Sequence, residues 1–487
     1  MTSATATPSP EGSIAGSNRA VREEQDSLGT VAVPADRYWG AQTQRALENF
    51  AIGIERLPVG FIHALGIQKQ AAARANVALG GLDPVLGDAI VAAAREVAEG
   101  RLDDHFPLPV WQSGSGTQSN MNANEVIANR ANEQLGQPLG RRSPVHPNDH
   151  VNRSQSSNDT IPTVMHLSTL LALRDGLLPA LDHLAATLSG RAAAFGDRVK
   201  TGRTHLQDAV PVTLRQEFGG YSSQITHAAA RLRRLSDELL PLAQGGTAVG
   251  SGLNCPPDFV PRFLDAIQAL TGLPVVRADD HFAANASHDV FVDLSGALGG
   301  TAAALTKIAN DIRFMGCGPR CGIGELALPA NEPGSSIMPG KVNPSQVESV
   351  VMVAAQVAGH HTTILHGAAG GQMELNACKP VIIHATLTSI RLLSDSARAF
   401  ADRCVAGLMP NDARLADLSG QSLMLVTALA PAVGYDRAAD AAHKAAHDGT
   451  TLREAVLGLG LMDGDAFDRT VDPLALALGP DEDVRRV

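Results

Sequence analysis

Within the eleven residues Gly334-Ser335-Ser336-Ile337-Met338-Pro339-Gly340-Lys341-Val342-Asn343-Pro344 lie two hydroxyls, one ammonium and one side-chain amide. Gly334 and the Pro339-Gly340 pair permit tight or left-handed backbone that few other residues tolerate. Pro344 suits the first turn of a following helix, where a missing N–H costs nothing. The stretch predicts a hydroxyl- and cation-bearing loop feeding a helix N-terminus, a place where anions bind readily. A plain Gly/Pro surface loop with a solvated Lys would share this composition, but four more polar loops upstream favour a site.

The first of these, Ser113-Gly114-Ser115-Gly116-Thr117-Gln118-Ser119-Asn120, opens onto a helix. Alternate Gly residues let backbone N–H groups approach a ligand, although a capped turn explains the stretch equally well by itself. The second is His146-Pro147-Asn148-Asp149, followed by Ser154-Gln155-Ser156-Ser157-Asn158-Asp159. Asp159 reads as a helix cap before Pro162, but Ser156, Ser157 and Asn158 supply more donors than a cap needs. In the third, Gly202 to Ala209, His205 follows Thr204 at an expected loop–helix junction, where it could act as a general acid or base. A lone His is more often structural. The fourth, Gln244 to Asn254, is glycine-rich, but its spacing fits neither nucleotide-binding pattern. Together the loops supply hydroxyls, amides, one His and one Lys. That set suits a small polycarboxylate, with one proton moved at carbon and another at oxygen.

The bulk properties narrow the class. The 487 residues are 44% hydrophobic but only 3% aromatic, which favours helix packing over sheets. The formal charge of −11 and the absence of a Lys/Arg-rich block argue against nucleic acid or anionic membrane as a partner. Five Cys without framework spacing read as reduced thiols, hence a cytoplasmic protein. Cys317 and Cys321 lack the partner ligands a metal or cluster would need, so no metal and no cofactor is expected. Met1 to Ala20 reads as a disordered tail without a signal-peptide core. No uninterrupted run of about 18 apolar residues suggests a membrane span.

Elements that could position the loops follow from periodicity. Residues 25–58 are mixed and turn-rich. Helical runs are expected at 60–79 and 84–99, and another near Glu125–Leu135, with a polar connection from Gly136 to Ser157. Leu170, Leu177, Leu181, Leu184 and Leu188 mark one stripe of a helix over Ile161–Leu188, bent near Pro179. Further helices are expected from Leu214 to Leu240, from Ser287 onward, after Pro344, and from Pro380 to Cys404. Helices of roughly 40 Å, at about 1.5 Å per residue, are long for a monomer, so burial in an oligomer is expected. After Met409-Pro410-Asn411 the pattern shortens into small helices.

Ser113–Asn120, Thr204-His205-Leu206-Gln207-Asp208 and Gly334–Pro344 together resemble the fumarase/aspartase superfamily, over essentially all the chain but the tail. Within it the match is to class II (iron-independent) fumarase. Aspartases typically carry Gln where His205 stands and Ala where Gly340 stands. Leu328-Pro-Ala-Asn-Glu-Pro-Gly334, Glu374-Leu-Asn376 and Lys379-Pro380 are also fumarase-like. The resemblance implies a mainly α, three-domain fold with a long central helical bundle that assembles into a tetrameric core. Its expected parts are a tail (1–20), an N-terminal, mostly helical lyase domain (21–153), a central long-helix domain (154–412) and a small C-terminal helical domain (413–487).

The implied activity is reversible hydration of fumarate to (S)-malate in the tricarboxylic acid cycle, by a homotetramer whose active sites are shared between subunits. By the same resemblance Ser335 is the base at C3, His205 handles the water, and Glu348 polarises His205. Ser115, Gly116, Thr117, Ser156, Ser157, Asn158, Thr204, Ser336, Lys341, Val342 and Asn343 bind substrate. His146, Pro147, Asn148 and Asp149 match a second, non-catalytic dicarboxylate site, although position 143 lacks the basic residue often found there. A serine base needs explanation, because a neutral hydroxyl is a poor proton acceptor; it requires backbone N–H donors and a nearby cation. An ammonia lyase of the same superfamily, and a non-catalytic protein on this scaffold, are the competing readings.

Overall fold

The computed structural model describes residues 20–479, so the expected tail lies outside the described residues except for Ala20. An antiparallel hairpin comes first, β1 (Val21–Asp26) and β2 (Gly29–Pro34). Four helices follow: α1 (Ala41–Asn49), α2 (Val59–Ala78), α3 (Pro84–Ala98) and α4 (Thr117–Gln134). A π-helical turn, Pro147–Val151, precedes α5 (Ser157–Ala172), and a second, Leu173–Leu177, joins it to α6 (Leu178–Phe195). A second hairpin, β3 (Val199–Thr204) and β4 (Gln207–Thr213), leads into α7 (Leu214–Asp237). After α8 (Phe259–Thr271) and α9 (His281–Ala286) come three long helices, α10 (Asp289–Met315), α11 (Ser345–Ala369) and α12 (Lys379–Arg403). Short helices occupy much of Asp412 to Leu478.

Two compact units partition these elements. One contains the chain through Thr169, Leu239–Asp289 and His366–His384; the other contains Leu170–Glu238, Val290–Leu365 and the chain from Ala385. In the first, α2 and α3 approach so closely that a Cβ on Gly66 would lie 2.5 Å from the Ala98 nitrogen. In the second, Phe195 of α6 meets Phe218 of α7 edge-on at 4.9 Å, and the Ser222 hydroxyl donates to the Ala185 carbonyl. Thr213 starts α7 through a capping box with Gln216, which orients the chain leaving β4. Leu425, Leu429, Ala441, Leu452, Val456 and Phe467 form a separate cluster among the small C-terminal helices.

The leucine stripe behaves as its spacing requires: Leu170 is 4% exposed, and Leu177, Leu181, Leu184 and Leu188 are fully buried. Phe291, Leu294, Leu298, Leu305, Ile308 and Ile312 on α10 are likewise buried. By length and composition Ser157–Phe195 could cross a membrane, but its leucine face is spent on protein packing.

Several expectations need correction. The turn-rich N-terminal stretch is a hairpin plus a helix, because the short strands pair locally. The helix expected at Glu125 begins at Thr117, since Gly116 turns the chain with φ 75° just before it. Where a bend is expected near Pro179, a π turn over Leu173–Leu177 runs into α6, and Pro179 falls in the first turn of α6, where its missing N–H costs little. Pro344 lies just outside α11; its carbonyl accepts the Glu348 N–H and so begins the helix without being in it. Leu294→Ala should lower stability by about 2–5 kcal/mol, read by urea unfolding at fixed protein concentration. Val85→Ala, at an exposed position, should change it by less than roughly 0.5 kcal/mol.

Candidate active site

In the first unit the loop before α4 and the start of α5 bring three predicted hydroxyls together. Ser115 Oγ lies 2.7 Å from Thr117 Oγ1, which lies 2.9 Å from Ser157 Oγ. Ser115 is buried, Thr117 is exposed, and Ser156, Ser157 and Asn158 are half-buried, so the chain of hydroxyls runs from core to surface. The Asn158 N–H bonds Ser156 Oγ, and its side-chain amide donates to the Ala248 carbonyl. The glycines here are enforced by crowding: a Cβ on Gly114 would lie 1.5 Å from the Ala377 oxygen. The Gly114 carbonyl accepts the Lys379 N–H.

Beneath this cluster is a buried polar network that sequence reasoning did not find. Asp159, fully buried, accepts backbone N–H groups from Ser156, Gly245 and Thr247 at 2.9–3.0 Å. Burial pushes its carboxyl upward, against those three bonds and the pull of Lys69. Lys69 is also fully buried; burial pushes its ammonium down to about 7, with Asp159 opposing. Lys379, equally buried, is pushed down to about 8 by the same cause. Its Nζ lies 3.4 Å from the Asn158 carbonyl. A signal existed for Lys69, which follows Ile62 and Leu65 on the apolar stripe of α2, where a charge has no reason to sit unless partnered.

The second unit carries the other predicted residues on two separate features. His205 does not lie at a loop–helix junction. With Leu206 it forms the two-residue turn between β3 and β4, both residues left-handed at φ 56° and 59°. That geometry matches the strand twist but strains side-chain-bearing residues, a cost that tends to persist at functional positions. Thr204, His205 and Leu206 are all exposed, while Arg203, two residues before His205, forks onto the fully buried Glu325 carboxylate at 2.8 and 3.0 Å.

The second feature is the loop ahead of α11. Ser335 Oγ accepts two backbone N–H groups, from Ile337 at 3.2 Å and Met338 at 3.1 Å. Gly334 and Lys341 are bonded through the backbone, and Asn343 Nδ2 donates to the Gly334 carbonyl. Gly340 adopts φ 81°, which an Ala there would hold only with strain. Ser336, Lys341 and Val342 are exposed, as is Glu348 in the first turn of α11. Among the described residues no hydrogen bond joins Glu348 to His205.

His146 has a local job. Its Nδ1 accepts the N–H groups of Asn148 and Asp149 and caps the turn that starts at Pro147. Burial, with Arg142 nearby, holds its imidazole below the usual histidine range, and Asp149 opposes this from 3.3 Å.

Long helices that end in hydroxyl-rich loops form the frame of this chain, and residues 29–359 match the lyase family model, which makes it a lyase. Residues 425–477 match the fumarase C C-terminus. The chain is 57% identical to fumarate hydratase class II of Brucella suis, covering 93% of this chain and 98% of that protein. It is 56% identical to the class II enzyme of Methylorubrum extorquens, covering 93% and 96%. The crystal structure of class II fumarase from Schistosoma mansoni superposes with a TM-score of 0.92 at 44% identity, covering 95% of this chain and all of that one. The chain belongs to the class II fumarate hydratase family.

Gly114→Ala should cost about 1–3 kcal/mol through overpacking, measured by chemical denaturation. It should also displace the Ser115–Thr117 hydroxyl pair, because Gly114 lies in the loop that leads into it.

Proposed function

We propose that this chain hydrates fumarate to (S)-malate reversibly, with Ser335 as the base at C3. In the dehydration direction, Ser335 Oγ as the alkoxide takes the C3 proton. The freed electron pair moves into the adjacent carboxylate, giving an aci-carboxylate with an added negative charge. Collapse of that intermediate forms the C2–C3 double bond and breaks the C2–O bond; the departing hydroxyl takes a proton from His205 and leaves as water. Hydration runs the same steps in reverse. The observation that carries this reading is the pair of backbone N–H groups on Ser335 Oγ. Such donors favour the charged oxygen and so lower the cost of forming an alkoxide. Lys341 and Asn343, on the same loop, stabilise the charge that develops on the carboxylate.

Ser115, Gly116, Thr117, Ser156, Ser157, Asn158, Thr204, Ser336 and Val342 hold the substrate, with hydroxyl and amide donors on its carboxylates. Glu348 polarises His205 across a subunit boundary in a homotetramer whose active sites draw on loops of different subunits. The 27-residue α10 and 25-residue α11 support this assembly, as do Met352 and Leu365 exposed on α11. His146 to Asp149 form a second dicarboxylate site: with Nδ1 accepting two N–H groups, the neutral ring carries its proton on Nε2, a donor for an anion. The five free cysteines suit a cytoplasmic location.

The purified chain should form fumarate from malate, followed by ultraviolet absorbance, equally well with a chelator present, and should not form it from aspartate. Turnover of aspartate alone would favour the ammonia-lyase reading. Ser335→Ala and His205→Asn should each lower kcat at least about 100-fold with KM changed far less. Near-normal kcat in either variant removes that residue from the mechanism.

A further inference from the structure

We propose that Lys69 is a positioning residue: its ammonium sets the Ser115–Thr117–Ser157 hydroxyl cluster for substrate by gripping the three segments that frame it. The inference rests on the fumarate hydratase reading above. An ammonium with no exposed surface is costly to bury, and it persists only where its donors are satisfied. Lys69 Nζ donates to Asn120 Oδ1 at 2.8 Å, Gln155 Oε1 at 2.9 Å and Asn152 Oδ1 at 3.2 Å. Three N–H donors thus meet three neutral amide oxygens, and each oxygen belongs to a segment that must be placed.

Asn120 lies in the first turn of α4, just after Thr117. Gln155 directly precedes Ser156. Asn152 follows the turn that His146 caps, and its own amide donates back to the Gln155 carbonyl at 3.1 Å. Asn120 and Asn124 also donate to Asn152 Oδ1 at 3.1 and 3.2 Å, so the three segments are cross-braced around one charge. Gln68, the neighbour of Lys69, adds a donor to Gln155 and another to Gln244. From the other side Asp159 holds the Ser156 N–H. The loop from Gln155 to Asn158 is therefore clamped between a buried cation and a buried anion.

A purely space-filling role would not need a charge, because an unbranched apolar chain of similar length fills the same volume. What the ammonium adds is convergence. Three dipoles point at one atom, which fixes the loops to within a hydrogen-bond length, and the substrate hydroxyls ride on those loops. Removing the charge should cost ground-state binding more than the chemical step, because Ser335 and His205 lie on other segments.

Lys69→Met and wild type are compared by steady-state kinetics with malate and fumarate, alongside thermal unfolding. The expected result is a KM raised at least about fivefold with kcat within about threefold, the signature of lost uniform binding. A smaller rise in KM in a folded variant, or a loss confined to kcat, overturns the proposal. If Lys69→Met does not fold, Gln155→Ala decides, with the same split expected at about threefold or more in KM and the same overturning result. Wild-type protein that fails to hydrate fumarate would sink the underlying reading. Wild-type turnover with an unaltered variant KM would sink only the role of Lys69.

Discussion

Asp159 cannot remain buried as an anion unless donors replace the water it has lost, and the closest donors it finds are the backbone N–H groups of Ser156, Gly245 and Thr247. The desolvation cost of one carboxylate thereby becomes a constraint on two loops, since moving either would orphan a charge in the core. Lys69 obeys the same rule with the opposite sign, meeting amide oxygens instead of N–H groups. No direct ion pair joins the two among the described residues. Each charge is satisfied by dipoles, and dipoles have direction, so the network specifies loop geometry in a way that a contact pair of ions would not. The hydroxyl chain of Ser115, Thr117 and Ser157 sits on top of this arrangement.

The other unit solves the placement problem by tension instead of burial. His205 and Leu206 occupy left-handed backbone that neither prefers, held by the register of β3 against β4. The Arg203–Glu325 fork anchors the hairpin below the turn, with the carboxylate fully buried. Ahead of α11, the Ser335 loop closes on itself through Gly334, Lys341 and Asn343. An exposed histidine on a strained turn is costly to keep, whereas a serine oxygen facing two N–H groups is already set to hold negative charge. Both make sense as parts presented for use.

Much of the helical frame was legible because burial on one side imposes a three-four spacing that survives in the sequence. The stripes along α6 and α10 needed nothing but that periodicity. The β3–β4 hairpin was not legible: its turn residues are His and Leu, where a reader of local chemistry looks for Asn or Gly. The early start of α4 was hidden for a similar reason, since Ser, Thr, Gln and Asn in its first turns score as loop until Gly116 is seen to turn the chain. Lys69 was missed because a charge on an apolar stripe reads as an imperfection until its three acceptors, 51, 83 and 86 residues away, are known.

By itself, then, the sequence determined the family, the long helices and which residue types stand in the motif loops. Motifs such as Gly334–Pro344 are local, and a residue's chemistry travels with its name. Only the tertiary structure decided which loops are held, by what, and at what angle. Those answers depend on contacts between distant residues, where the energetics of burying a charge, and not local preference, choose the partner.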